Sequence, residues 1–122
     1  MSQSQQASRS GLSFDTASLS GLGWLAVALV FLTGVLHLYA GVTEGRIPVG
    51  LAGVGFLAAT ILYLLDYRRR LLVLLAIPYT AVQIPLWYVA NAGQFTLLGY
   101  ADKAIQVLLV VVLLALYRRG GS

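Results

Sequence analysis

From Leu22 to Val42 the chain carries no charged side chain. A helix over that run, rising about 1.5 Å per residue, reaches across a hydrocarbon core about 30 Å thick. Three further apolar runs follow it, over about 48–67, 71–90 and 101–117, separated by short polar breaks. Lipid offers no hydrogen-bond partner to a backbone, so each run must satisfy its own N–H and C=O groups. The expectation is an all-α membrane protein, with four transmembrane helices in an up-down antiparallel bundle. Composition supports that class: 59% of the residues are hydrophobic and 10% charged, against about 45–50% and 25% in a soluble domain.

Before the first span, residues 1–20 are rich in Ser and Gln. They bury too little to offset the entropy of ordering, so they read as a disordered cytoplasmic tail. They lack the basic cluster of a secretory signal, and the apolar run after them is too long for one. The transmembrane domain covers 21–119, and 120–122 form a short tail. Pro48 suits the first turn of the second helix, where its missing N–H costs nothing. Gly55 and Ala59 make a small-xxx-small pair that suits close packing against Gly34 and Gly41 of the first helix. In the third span Pro78 and Pro85 each remove a backbone hydrogen bond, so this helix is expected to kink. The fourth span has to recruit 101–103 to cross. Asp102 then falls in its first turn and Lys103 snorkels outward.

The stretch Asp66-Tyr67-Arg68-Arg69-Arg70 sets the orientation. With four spans both termini lie on its side, together with Arg9, Arg118 and Arg119; only Arg46 and Lys103 lie opposite. Basic residues stay in the cytoplasm, so both termini of this plasma-membrane protein are expected inside, with Arg68, Arg69, Arg70, Arg118 and Arg119 as topology determinants. An exposed Asp66 pair with Arg69 or Arg70 contributes little. The net charge of +4 follows the ends of the spans and forms no stripe on a polar face, so the lipid bilayer is the expected partner and nucleic acid is not.

Three segments carry a family resemblance: Gly34-Val35-Leu36-His37-Leu38, then Leu64 to Leu72 around the arginine run, then Ile77 to Val89 with its two prolines. Over about residues 20–119 the chain resembles a family of small four-helix integral membrane proteins of halophilic archaea, a domain of unknown function. The resemblance implies an archaeal plasma membrane and no activity. Small multidrug transporters are also four-helix chains of this size, but they depend on an acidic residue in the first span, and 22–42 has none.

Without cysteine, disulfides, thiolate metal sites and a cysteine nucleophile are excluded. No phosphate loop or metal-ligand spacing appears, so no catalytic residue, metal or cofactor is expected and the chain does not read as an enzyme. His37 reads as the one ionisable group well inside a span. Thr33 is four residues before it on the same face. Gln83, Gln106 and Tyr79 lie at comparable depth, and His37, Gln83, Gln106 and Tyr79 are expected to meet in a small polar pocket, which equally reads as an interhelical clamp. The first functional reading is a non-enzymatic accessory or structural component, its glycine-rich face suiting a homo-oligomer or larger membrane complex. The second is a small-solute transporter or channel. The third is a haem- or quinone-binding redox component, with His37 as one axial ligand and a second copy of the chain needed to supply another.

Overall fold

The structure, a computed structural model, describes Phe14 and residues 16–122. Among the described residues there are no strands. Four helices, α1 (Gly21–Thr43), α2 (Ile47–Leu64), α3 (Arg69–Ala90) and α4 (Leu97–Arg118), pack as a bundle, and each is long and apolar enough to cross a membrane. Large apolar side chains such as Phe31, Leu51, Val89 and Val111 point outward, as lipid allows and water would not.

Local chemistry places the helix ends. Ser20 and Thr96 cap α1 and α4, each accepting from the backbone N–H three residues on at 3.1 Å. Pro48 sits in the first turn of α2. α1, α2 and α4 all end in the same way: a residue with positive φ follows the cap, and the next N–H reaches back to the carbonyl five residues earlier. Gly45 (φ 67°) serves this purpose after α1, with Arg46 N–H on Gly41 O at 2.9 Å. After α2 the position falls to Asp66 (φ 59°), with Tyr67 N–H on Leu62 O at 3.0 Å. The arginine run is therefore the exit of a helix stop, and Arg68 (φ 46°) is the N-cap of α3.

Touching residues run in opposite order along neighbouring helices. Gly41 meets Gly50 while Gly34 meets Phe56; Thr33 meets Gln106; Arg70 meets Tyr117 while Gln83 meets Gln106. The tightest seam joins α1 to α2. A Cβ on Gly53 would stand 2.6 Å from Leu38 N and 2.7 Å from Gly34 O, and one on Gly41 would meet the Gly50 backbone. The expected α2 partner of Gly34 and Gly41 therefore shifts from the Gly55–Ala59 pair to Gly50 and Gly53. Gly55 turns to α3, where it makes room for the Tyr79 ring. Pro78 and Pro85 lie inside α3, which runs unbroken through both.

The start of α1, the C-terminal residues and the 65–68 turn lie at one end of the bundle. Most of the expected disordered tail, residues 1–13 and Asp15, lies outside the described residues. The last part of it is fastened: Ser20 N–H and Oγ both donate to Ser122 O, at 3.1 and 2.7 Å. Tyr63 Oη donates to Gly121 O at 2.7 Å. Arg69 is buried rather than exposed, donating to Tyr63 O at 2.8 Å and to Ser18 Oγ, with Asp66 3.4 Å away. Its guanidinium fixes the turn that brings α3 back along the bundle. Beside these contacts runs the apolar core: Ala26, Leu29, Phe56, Tyr63, Val73, Leu109, Val112, Leu113 and Leu116.

Gly53→Ala is expected to lower stability by about 1–3 kcal/mol, the usual range for overpacking. Gly21→Ala, which meets nothing within 4 Å, should stay within about 0.5 kcal/mol of the parent. Reversible unfolding of the purified protein in detergent measures both.

Candidate functional site

α4 starts at Leu97, a turn earlier than the expected span. That start moves Asp102 and Lys103 from its first turn into its body. Both point inward, at 6% and 8% exposure, so Lys103 does not snorkel. The earlier start follows from the Thr96 cap, whose side chain accepts from Gly99 N–H and so opens the helix at Leu97.

Lys103 reaches back along α4 to its sequence neighbour. Its Nζ donates to Asp102 Oδ2 at 2.9 Å and to Gln106 Oε1 at 2.8 Å. Gln106, fully buried, donates through Nε2 to Gln83 Oε1 of α3 at 2.9 Å and to Thr33 Oγ1 of α1 at 3.3 Å. Thr33 Oγ1, also fully buried, donates to Asp102 Oδ1 at 2.6 Å. His37 Nδ1 stands 2.9 Å from Thr33 O, 3.3 Å from Thr33 Oγ1 and 3.5 Å from Asp102 Oδ2. The Thr33 proton is already given to Asp102, so the Nδ1–H tautomer of His37, donating to the Thr33 carbonyl, completes the set. Three helices are tied by this network. Phe56 of α2 closes its fourth side, edge-on to His37 at 5.6 Å between ring centroids.

His37, Gln83 and Gln106 thus lie together as a polar cluster. Tyr79 does not join them through its hydroxyl, which donates to Ala52 O of α2 at 2.9 Å. Only its backbone takes part, accepting from Gln83 Nε2 at 2.9 Å. The four-residue spacing does put Tyr79 and Gln83 on one face of α3. The hole left by Gly55 draws the Tyr79 ring away from the cluster, and it packs on Phe56 at 5.0 Å. Asp102 and Lys103, the two charges at the centre, read from the sequence as end residues of α4, because 91–100 has the composition of a polar, glycine-containing connection.

The cluster is the floor of a cavity of about 370 Å³ that opens at the end of the bundle away from the termini. Leu36, Leu86, Trp87 and Leu98 supply apolar wall, and His37, Gln83, Asp102 and Lys103 reach it from below. At its rim Arg46 Nη1 donates to Asn91 Oδ1 at 3.0 Å, joining the α1–α2 turn to the α3–α4 loop, while Arg46 Nε lies 3.5 Å from Glu44. Trp87, Phe95 and Tyr100 pack together beside the opening. Among the described residues no group of three or more His, Asp or Glu is placed to hold a metal ion.

Taking one partner from a buried ion pair costs about 3–5 kcal/mol, because the other charge is left uncompensated, whereas replacing both is far cheaper. Lys103→Met is therefore expected to destabilise by about 3 kcal/mol or more. Combining it with Asp102→Asn, which keeps an acceptor for Thr33, should recover part of that loss, and a double-mutant cycle in detergent reads the coupling.

In comparison with known proteins, the sequence model of a family of unknown function matches residues 8–117. No curated protein matches the chain, and no solved structure does.

Proposed function

The chain belongs to DUF7475, a family of unknown function, and from its site we propose that it is a non-enzymatic carrier, taking a small polar solute into the cavity from the side of the membrane away from its termini. The observation that supports this most is the Asp102–Lys103 pair at the floor of an open cavity. Ionisable groups at membrane depth are costly, and where they occur they mark solute or proton paths. A cavity of this kind, mostly apolar with a few convergent polar groups, is the usual form of a small-molecule site.

The non-enzymatic reading rests on how the polar groups are committed. Thr33, His37 and Asp102 are the set closest to a nucleophile with its base and acid. The Thr33 hydroxyl has no exposure and gives its proton to the carboxylate, so a substrate in the cavity meets no activated oxygen there.

The charge distribution supports an up-down bundle with both termini in the cytoplasm. Arg68, Arg70, Arg118 and Arg119 are exposed at the end carrying the termini, against a half-buried Arg46 at the other. Lys103 and Arg69 drop out of the comparison because both are buried. The second reading, an accessory component whose polar cluster only clamps helices, is favoured by the density of hydrogen bonds among Thr33, Gln83, Asp102, Lys103 and Gln106.

Since the chain has no cysteine, a single introduced thiol reports access without background. In sealed vesicles of known orientation, Ala40→Cys on the cavity wall is expected to react with a membrane-impermeant thiosulfonate only from the face away from the termini. Leu113→Cys, in the apolar core, should stay unreacted. An inert Ala40→Cys leaves the clamp reading in place.

A further inference from the structure

We propose that the solute is a small carboxylate with an apolar body, and that binding it brings one proton onto His37. The proposal rests on the cavity being a solute site and goes on to name its ligand.

Which charge at the floor has bonding capacity to spare decides the sign of the ligand. Asp102 is taken up within the protein: Oδ1 accepts from Thr33 at 2.6 Å, and Oδ2 accepts from Lys103 at 2.9 Å with His37 Nδ1 3.5 Å away. A cationic solute would have to displace Lys103 to reach it. Lys103 has three N–H donors. Two go to Asp102 and Gln106, which leaves one on a side chain that lines the cavity. At the rim Arg46 repeats the pattern. Its Nη1 serves Asn91 and its Nε faces Glu44, and Nη2 is left over from a planar fork suited to carboxylates. Spare donors on two cations, one above the other along the cavity, suit an anion at entry and at rest. Between them the wall of Leu36, Leu86, Leu98 and Trp87 suits a hydrocarbon body. A volume of about 370 Å³ is at the small end for ligand pockets, so the body is short.

Charge balance supplies the proton. With His37 neutral the floor sums to zero, one carboxylate against one ammonium. A bound anion would leave a net negative charge out of reach of water, which is costly. The groups facing His37 are Thr33 from its own helix, the Phe56 edge from α2, Gln83 from α3, and Asp102 and Lys103 from α4. Of these only the last two are charged. Glu44 and Arg46 at the rim offset each other. His37 is thus the group able to change charge, and Asp102 stands 3.5 Å away to receive the imidazolium. Nδ1 already donates to the Thr33 carbonyl, so the added proton goes to Nε2. The loaded floor holds Asp102, Lys103, His37 and the ligand carboxylate, and it is neutral again.

Trp87 on the cavity wall is one of two tryptophans, so Trp24→Phe makes it the sole indole. Full-length Trp24→Phe protein in detergent is titrated with butyrate, butylamine and butanol, following Trp87 emission. Butyrate alone is expected to give a saturable change, weakening up to tenfold per pH unit above the range where free His37 titrates. Calorimetry in two buffers of different ionisation enthalpy should count one proton taken up per butyrate. His37→Gln, which keeps a polar side chain, should flatten the pH dependence, and Arg46→Gln should weaken binding without changing the proton count. Butylamine binding as tightly as butyrate, or no saturable change while Ala40→Cys is labelled, would overturn the carboxylate assignment, and butyrate binding without proton uptake would overturn the protonation of His37; each leaves the solute site standing. An unlabelled Ala40→Cys removes the site itself.

Discussion

The ion pair between Asp102 and Lys103 is the constraint around which the polar half of this bundle is arranged. Taking a carboxylate and an ammonium out of water costs several kcal/mol per ion even after relaxation, and attraction repays it only where the remaining lone pairs and protons are also satisfied. The surrounding side chains meet that requirement from three helices: Thr33 on one carboxylate oxygen, Gln106 on the ammonium, Gln83 behind Gln106. Sequence neighbours on a helix do not ordinarily face each other. Lys103 manages it because its flexible stem can fold back along α4, with the Trp87 ring 5.9 Å from its Nζ.

The glycine seam between α1 and α2 sets how closely α2 approaches the turn of α1 that carries His37, while the Thr33 bonds to Asp102 and Gln106 tie that turn to α4. A Cβ on Gly53 would also approach His37 Cβ, at 3.1 Å. The absence of a side chain there lets α2 settle against the turn of α1 that carries the imidazole. Phe56, one helical turn further along α2, then meets the ring edge. Packing of small residues does in lipid what water-driven burial does elsewhere, and its product here is the Phe56 edge held against the imidazole. At the other end of the bundle, Arg69 and the chain ends bind one another through Tyr63, Ser18, Ser20 and Ser122.

Much of this was legible in the residues because lipid simplifies the code. Long runs without charge have one backbone solution, and the four-residue spacing of Thr33 and His37 places both on one face. Gln83 and Gln106 stood out as rare amides in apolar surroundings. What stayed hidden depended on where α4 begins. With the start set at Ala101, Asp102 and Lys103 look like end residues with water in reach. With the start at the Thr96 cap they are a turn deep, and the inference that only His37 is ionisable inside a span no longer holds. Tyr79 illustrates the opposite limit. It shares a face of α3 with Gln83, but the direction of its ring depends on a vacancy at Gly55 on another helix, which no pattern within α3 can report. Arg69 likewise has the sequence of an exposed turn residue and the burial of a core one.

Beyond the floor of the cavity lies an apolar groove of about 220 Å³ between α2 and α3, lined by Ala59, Thr60, Tyr63, Val73 and Leu113. Phe56 and Tyr79 also line it, and they stand between it and the polar cluster. On the carrier reading, a solute leaving the floor toward the termini has to part this aromatic pair. The anchor of the pair is one hydrogen bond, Tyr79 Oη to Ala52 O, and Tyr79 directly follows Pro78. A proline inside a helix frees the carbonyl four residues before it, here Leu74, and Pro85 does the same for Ala81. α3 therefore has its fewest backbone restraints on either side of Tyr79. Its contact with α2 is also the sparsest between neighbouring helices of the bundle. On the carrier reading, then, the barrier falls on the helix least held by its own hydrogen bonds and by its neighbours, which is where a four-helix carrier of this size would have to yield.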